Sequence, residues 1–301
     1  MKNKALISVV LVVKNEEKNI EKCLSSVKDF ADEIVVVDDG SIDKTVGIAK
    51  KFTDKIYHHE SAGYVEPARN FAISKATGDW ILILDADEEL PSSLAKMLRE
   101  IAEGDEFDFV KIPRKNMIFS KWIEHSGWWP DYQIRFFKSG SVKWQNKIHS
   151  VPETHGKEKI LDSKEEGAIL HYNYESVYQF IDKLNNYTTI QAQEFEGNFD
   201  KRNLFKNPAD EFVGRYFKDK GYEDGLHGLA LSGLMSFYML VVELKIWEIN
   251  GSPNEPGNSL DFTSKQMIET RDAMKYWLLS AEIAEAKNPI RKVFYKILRR
   301  L

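Results

Sequence analysis

Cysteine is nearly missing from this chain: Cys23 stands alone among 301 residues. One thiol excludes an internal disulfide framework and any multi-cysteine zinc site, and it fits a reducing compartment. Cys23 shares a helical apolar face with Ile20, Leu24 and Val27, so it is expected to be an inert buried hydrophobe. A strong excess of one charge is lacking too. The formal net charge of -5 is spread over the whole length, which argues against a general nucleic-acid binder. Internal repeats and low-complexity linkers are absent. The apolar run from Ala5 to Val13 leads into Lys14-Asn-Glu-Glu without a small-residue cleavage pattern, and so reads as a first core strand rather than a signal peptide. What the chain does carry is 43% hydrophobic and 12% aromatic residues, enough for one sizeable core or two modest ones.

The first hundred residues alternate between two periods. Leu6 to Val13 is a β-branched run, Ile20, Leu24, Val27 and Phe30 are spaced for a helix, and Ile34 to Val37 is strand-like again. The alternation continues through Asp43 to Phe52 (helix), Ile56-Tyr57 (strand), Glu66 to Ala76 (helix) and Trp80 to Leu84 (strand). Pro91 opens a helix with Leu94, Leu98 and Ile101, and Phe107 to Ile112 reads as a further strand. Strand, helix, strand in succession predicts parallel pairing with right-handed crossovers, hence an open, doubly wound α/β domain. From Asn116 to Leu170 short aromatic strands and turns take over, including Gln133 to Phe137 before Lys-Ser-Gly140. Beyond Tyr174 the pattern is mainly helical. The expected division is 1–115, 116–173 and 174–301.

Chemistry-bearing residues gather at strand ends. Trp80-Ile-Leu-Ile-Leu is a strand buried on both faces that delivers Asp85 and Asp87 to its carboxyl end, where the crevice of an α/β sheet receives ligands. Carboxylates at i and i+2 across a chain reversal can share one hard cation, a ready partner for a diphosphate. Asp38 and Asp39 close another strand, placed either to bond a ribose or nucleobase or simply to shape a turn and cap a helix. Between them, Arg69 offers a planar donor fork to a phosphate or base edge, or a surface pair for Glu66.

Four segments taken together, Ser8 to Ile20 with Asn15-Glu16-Glu17, Val35 to Thr45 with Asp38-Asp39-Gly-Ser, Ala68-Arg69-Asn70, and Gly78 to Asp87 ending in Asp85-Ala86-Asp87, resemble a family 2 glycosyltransferase of the GT-A fold. That fold is a Rossmann-like, mostly parallel sheet flanked by helices, here with a C-terminal mainly helical extension. The region after Trp128 is similar to bacterial enzymes of lipopolysaccharide core and other surface glycans. The resemblance implies that Glu16 and Asp39 contact the nucleoside and that Asp38 supports their loop. Arg69 would lie near the base or phosphates, Asp85 and Ala86 would lie by the donor sugar and ribose, and Asp87 would bind Mg²⁺ or Mn²⁺ at the diphosphate. It also implies inversion at the anomeric carbon, a nucleoside-diphosphate sugar as donor with UDP favoured, a glycan or lipid-linked acceptor, and work in the cytoplasm, either free or at the inner face of the cell membrane.

An acceptor hydroxyl needs a carboxylate to take its proton. Asp131, in Gly127-Trp128-Trp129-Pro130-Asp131, is the expected base, with Trp128 and Trp129 suited to stacking on a sugar; a turn acid after proline is the other reading. Glu88 is the alternative base. Arg135 should share a strand face with Gln133 and pair with a diphosphate or with Asp131, or else form a plain salt bridge. His149 would complete the metal shell, as a later histidine does in several GT-A relatives; a structural histidine at a strand end is the other reading. His58 and His59 read as surface residues.

Ile290, Val293, Phe294, Ile297, Leu298 and Leu301 form one helical face among Arg291, Lys292, Lys296, Arg299 and Arg300, suited either to an anionic membrane interface through 290–301 or to packing on the core. Gly225 to Val242 is uncharged over 18 residues but holds three glycines, two serines and His227, so a buried or interfacial helix is expected. A phosphorylatable receiver domain would leave the tryptophan-rich second part without a purpose. A sugar nucleotidyltransferase and an inactive nucleotide-sugar-binding module stay open.

Overall fold

The computed structural model describes residues 4–60, 66–144, 152–254 and 259–300. Two compact units emerge, residues 1–117 with 130–173, and residues 118–129 with 174–301. Residues 118–129, placed by sequence with the segment 116–173, cluster instead with the helical unit. Their Ile118 and Ile123 bury with Leu231, and Phe119, Trp128 and Tyr174 pack around them.

The first unit opens with β1 (Ile7–Val13), α1 (Ile20–Val27), β2 (Glu33–Asp38), α2 (Thr45–Ala49), β3 (Ile56–His58), α3 (Glu66–Ile73), β4 (Trp80–Leu84), β5 (Glu88–Glu89) and α4 (Ser92–Gly104). There follow β6 (Phe109–Ile118), β7 (Lys121–Trp122, in the second unit), β8 (Asp131–Lys138), β9 (Val142–Lys143), β10 (Glu153–Thr154), β11 (Glu158–Ile160) and β12 (Ile169–Tyr174). The sheet runs in the order β3-β2-β1-β4-β8-β6-β12-β5. β1 to β4 are mutually parallel, and β8 is antiparallel to both β4 and β6. This is the expected α/β sheet flanked by helices, but it is mixed rather than mostly parallel: it is parallel from β3 to β4 and turns antiparallel where β8 joins.

The period of two in β1 sends Ile7, Val9, Leu11 and Val13 into a core with α1 and α4, and Val10 into a second core with Val35, Ile81 and Ala72 of α3. Each such side chain, fully removed from water, contributes roughly 1.5–3 kcal/mol, so the strand is fixed from both faces. Two elements differ from expectation. α2 is shorter than Asp43 to Phe52, because Asp43 turns back to accept from the Thr45 backbone N–H at 2.9 Å. β6 runs on past Ile112, through Pro113, Arg114 and Asn116, because β8 pairs along it with Pro113 opposite Tyr132 and Arg114 opposite Asp131.

The second unit is built on α5 (Val177–Gln193), α6 (Asn203–Val213), α7 (Leu226–Ile249), α8 (Ser259–Glu285) and α9 (Pro289–Arg300). α7 is long and apolar enough to cross a membrane by length and composition, with a mean hydropathy of 1.6 over its most apolar window. Polar clamps hold it to its neighbours: Lys245 Nζ donates to Asn185 O and Thr189 Oγ1 of α5, and Glu243 accepts from Asn207 of α6.

Candidate active site

β1 lies between β2 and β4, so chain direction across the sheet reverses there and a crevice opens at the strands' carboxyl ends. Two loops meet on the β2 side. Asn15, at φ 55°, donates its N–H to Ser41 Oγ and accepts from the Ile42 N–H through Oδ1. The Glu16 N–H donates to Thr45 Oγ1, and its carboxylate accepts from Asn19. Asp38 Oδ1 accepts from the Ser41 N–H at 3.0 Å, and so fastens the turn. Asp39 is buried, and its Oδ1 lies 3.0 Å from His59 Nδ1. His59 is therefore not the surface residue expected; its ring is half-buried against Phe71 while His58 stays exposed. A cavity of about 380 Å³ opens beside Asp38, lined also by Lys50, Tyr57 and His58.

Beyond β4 the second acidic end sits inside a guanidinium network. Arg69 Nη2 donates to Asp85 Oδ1 at 3.1 Å, and Arg135 Nη2 donates to Asp85 Oδ2 and, at 2.8 Å, to Glu88 Oε1. Burial pushes the Asp85 carboxyl up, but Arg135, Arg69 and Arg114 outweigh it and hold the acid well below its ordinary range. Glu88, the alternative base, is 0% exposed, and its other oxygen accepts from the Asp85 N–H. Its side chain is wholly enclosed and organises the strand end, whereas that of Asp131 keeps 23% of its surface exposed. Ala86 is buried between the two acids.

Alternation along β8 places Asp131, Gln133 and Arg135 on one face. Asp131 accepts from Arg114 Nε at 2.9 Å, from Gln133 at 2.9 Å and from Asn116 at 3.3 Å. Burial raises its pKa, but Arg114 and these hydrogen bonds prevail and lower it. Asp131 is thus oriented and ionised. Asn116 in turn accepts from His171 Nδ1 at 2.7 Å, and His171 Nε2 lies 3.6 Å from Asp87 Oδ1. Because the Asn116 amide nitrogen already donates to Asp131, its oxygen faces the ring, and the proton belongs on Nδ1. In the neutral ring the Nε2 lone pair then faces Asp87, an arrangement suited to metal ligation.

Among the described residues no group of three or more His, Cys, Asp and Glu side chains could close on a metal by itself. A hard cation here would take Asp87, and His171 beside it, and complete its shell with oxygens of the ligand and water. His149 lies outside the described residues. Trp128 and Trp129 belong to the second unit, where Trp128 meets Tyr174 edge-on and Trp129 meets Trp122. Arg114, Asn116 and His171 escaped the sequence reading. The available signal was a charged and amide-bearing stretch, Arg114-Lys-Asn116, inside an otherwise apolar strand.

Residues 8–156 match the family described as Glycosyl transferase family 2. An uncharacterized glycosyltransferase of Rickettsia typhi is 28% identical over 260 residues, 81% of this chain and 87% of that protein. The lipopolysaccharide core biosynthesis glycosyltransferase LpsC of Rhizobium meliloti is 24% identical over 255 residues, 80% of this chain and 92% of LpsC. Among solved structures, S. aureus TarS 1-349 in complex with UDP shares 15% identity, covers 84% of this chain and 94% of its own, and aligns with a TM-score of 0.43.

Proposed function

Residues 8–156 place this chain in glycosyltransferase family 2, and on that premise we propose that it moves a sugar from a nucleoside-diphosphate sugar to a hydroxyl of a glycan or lipid-linked acceptor, with inversion. The relation to LpsC supports a role in lipopolysaccharide or similar surface-glycan assembly, at the cytoplasmic face where nucleotide sugars are made. One observation carries the reading: the carboxyl end of β4, one strand away from the Asp38-Asp39 end of β2, has its Asp85 held by both Arg69 and Arg135.

Asp39 and the stitched Asn15-Ser41 loop would hold the nucleoside, with Arg69 and Asp85 fixing phosphate and sugar. Three carboxylates (Asp85, Glu88, Asp131) pair with three guanidiniums (Arg69, Arg114, Arg135), and Asp87 adds a fourth acid that acts on Arg135. An incoming diphosphate is therefore short of positive charge, and a divalent ion on Asp87 and His171 redresses it. Such an ion, when bound, stabilises the charge that develops on the departing diphosphate. Asp131, aimed by Arg114, Asn116 and Gln133, would take the acceptor proton.

The test is release of free nucleoside diphosphate from UDP, GDP, dTDP and ADP sugars with Mn²⁺. Release that Asp87→Ala abolishes supports the reading. Pyrophosphate exchange instead would identify a nucleotidyltransferase, and tight binding without release an inactive module; either defeats it.

A further inference from the structure

Among the described residues, the apolar stripe of α9 stays exposed. Ile290 is 78% exposed, Val293 57%, Phe294 56% and Ile297 55%. These four recur at i, i+3, i+4 and i+7, one continuous stripe. The helix leans on α8 through a different face: Tyr295, Leu298 and Arg299 are its half-buried residues. Arg299 Nη1 donates to Ser280 Oγ at 3.1 Å, and its guanidinium lies 5.2 Å from the Tyr276 ring centre. Packing on the core, one of the two readings the sequence allowed, thus accounts for Leu298 but not for the stripe. Lys292, Lys296 and Arg300 follow at i, i+4 and i+8, which sets a basic strip along one edge of the apolar one. From Lys287 to Arg300 the chain has no acidic residue, in a protein whose net charge is -5.

We propose that this face of α9 docks the protein on an anionic lipid bilayer, its apolar stripe in the acyl boundary and its basic strip among phosphate headgroups. The charge pattern selects the occupant. Contiguous apolar residues bordered by cations on a local background free of acids fit a negatively charged interface, in which both parts of the face are satisfied at once. The proposal gives the lipid-linked acceptor of the reading above a surface to lie in. It rests on that reading only for its purpose, because docking needs neither donor nor turnover.

Cosedimentation of the full chain with phosphatidylcholine vesicles, with and without phosphatidylglycerol, tests it. Binding is expected only with phosphatidylglycerol and should weaken at high salt. At about fivefold per charge removed, Lys292→Gln/Lys296→Gln/Arg300→Gln should lower the partition coefficient on the order of a hundredfold. Phe294→Ser/Ile297→Ser should lower it by on the order of tenfold or more with the helix content of the chain unchanged. A chain that stays in the supernatant with anionic vesicles, or binds them undiminished with these substitutions, overturns the proposal. So does a dimer, seen by sedimentation velocity without lipid, that Phe294→Ser/Ile297→Ser dissolves. An unsubstituted chain that releases nucleoside diphosphate but does not dock sinks the docking alone; docking without release sinks the transferase reading alone.

Discussion

Replacing Arg135 by methionine removes the cation that bonds both Asp85 and Glu88 while keeping much of the side chain's volume. Arg135 and Glu88 are buried, at 4% and 0% side-chain exposure, whereas Asp85 is 30% exposed. Breaking a buried ion pair by deleting one partner costs about 3–5 kcal/mol, because the remaining charge is left uncompensated. Two residual contacts pull the figure toward the lower end. Asp85 keeps Arg69 at 3.1 Å, and Glu88 keeps Arg114 at 3.4 Å and the Asp85 N–H at 2.9 Å. A loss of about 3 kcal/mol is therefore expected, roughly a hundredfold in the folded-to-unfolded ratio. Urea unfolding followed by tryptophan fluorescence and circular dichroism measures it. Adding Glu88→Gln removes the stranded charge, so the double variant should lose about 1–2 kcal/mol less than the sum of the two single losses. A cost for Arg135→Met under about 1 kcal/mol, or strictly additive losses, would refute the claim that these groups form one electrostatic unit.

Asp131→Asn should lower turnover by about 10²–10⁴-fold while donor binding, read by titration of the nucleotide, stays within about twofold. Chelation of divalent ions should stop nucleoside diphosphate release, and Mn²⁺ should restore it. Gly78→Ala should cost roughly 1–3 kcal/mol in urea unfolding, because its new Cβ would lie 2.8 Å from Ser8 N and 2.9 Å from Leu6 O, backbone atoms of β1 and its approach that cannot turn away. Burial acts upward on Asp32 and Glu33, but hydrogen bonds from Lys4 and the Ile7 N–H to the one, and from Lys55, Ser8 and Thr77 to the other, bring both down to about 2. Folded-state values below the unfolded ones mean that their stabilisation is full above about pH 4.5 and is lost as pH falls from there through about 2; an unfolding midpoint that Asp32→Asn leaves equally acid-sensitive contradicts this. Cys23, fully buried and with its thiol pushed up by burial and by the nearby acids Glu88 and Asp87, should resist alkylation until the chain is unfolded, as mass spectrometry of pulse-labelled protein would show.

What could be read in advance divides by the range of the interaction. β4 lies where its apolar run predicts, Trp80 to Leu84, and β1 and β2 within a residue or so, because a strand buried on both faces reads as a nearly continuous apolar run. The acids at their ends followed from the same run stopping. The partners of those acids did not, since they arrive from strands distant in sequence and in a register no single strand reveals. Arg114 stands opposite Asp131 only through the β6–β8 pairing, which includes an irregularity at Val110/Lys111, and His171 stands opposite Glu88 only through β5 and β12. A one-residue slip in either pair would turn those side chains to the other face. The same limit explains α9: a period of 3.6 draws the apolar stripe, but whether a core lies beneath it depends on which face α8 receives. Arg299 on Ser280 fixes that rotation, and the fixed rotation is what leaves Phe294 and Ile297 exposed.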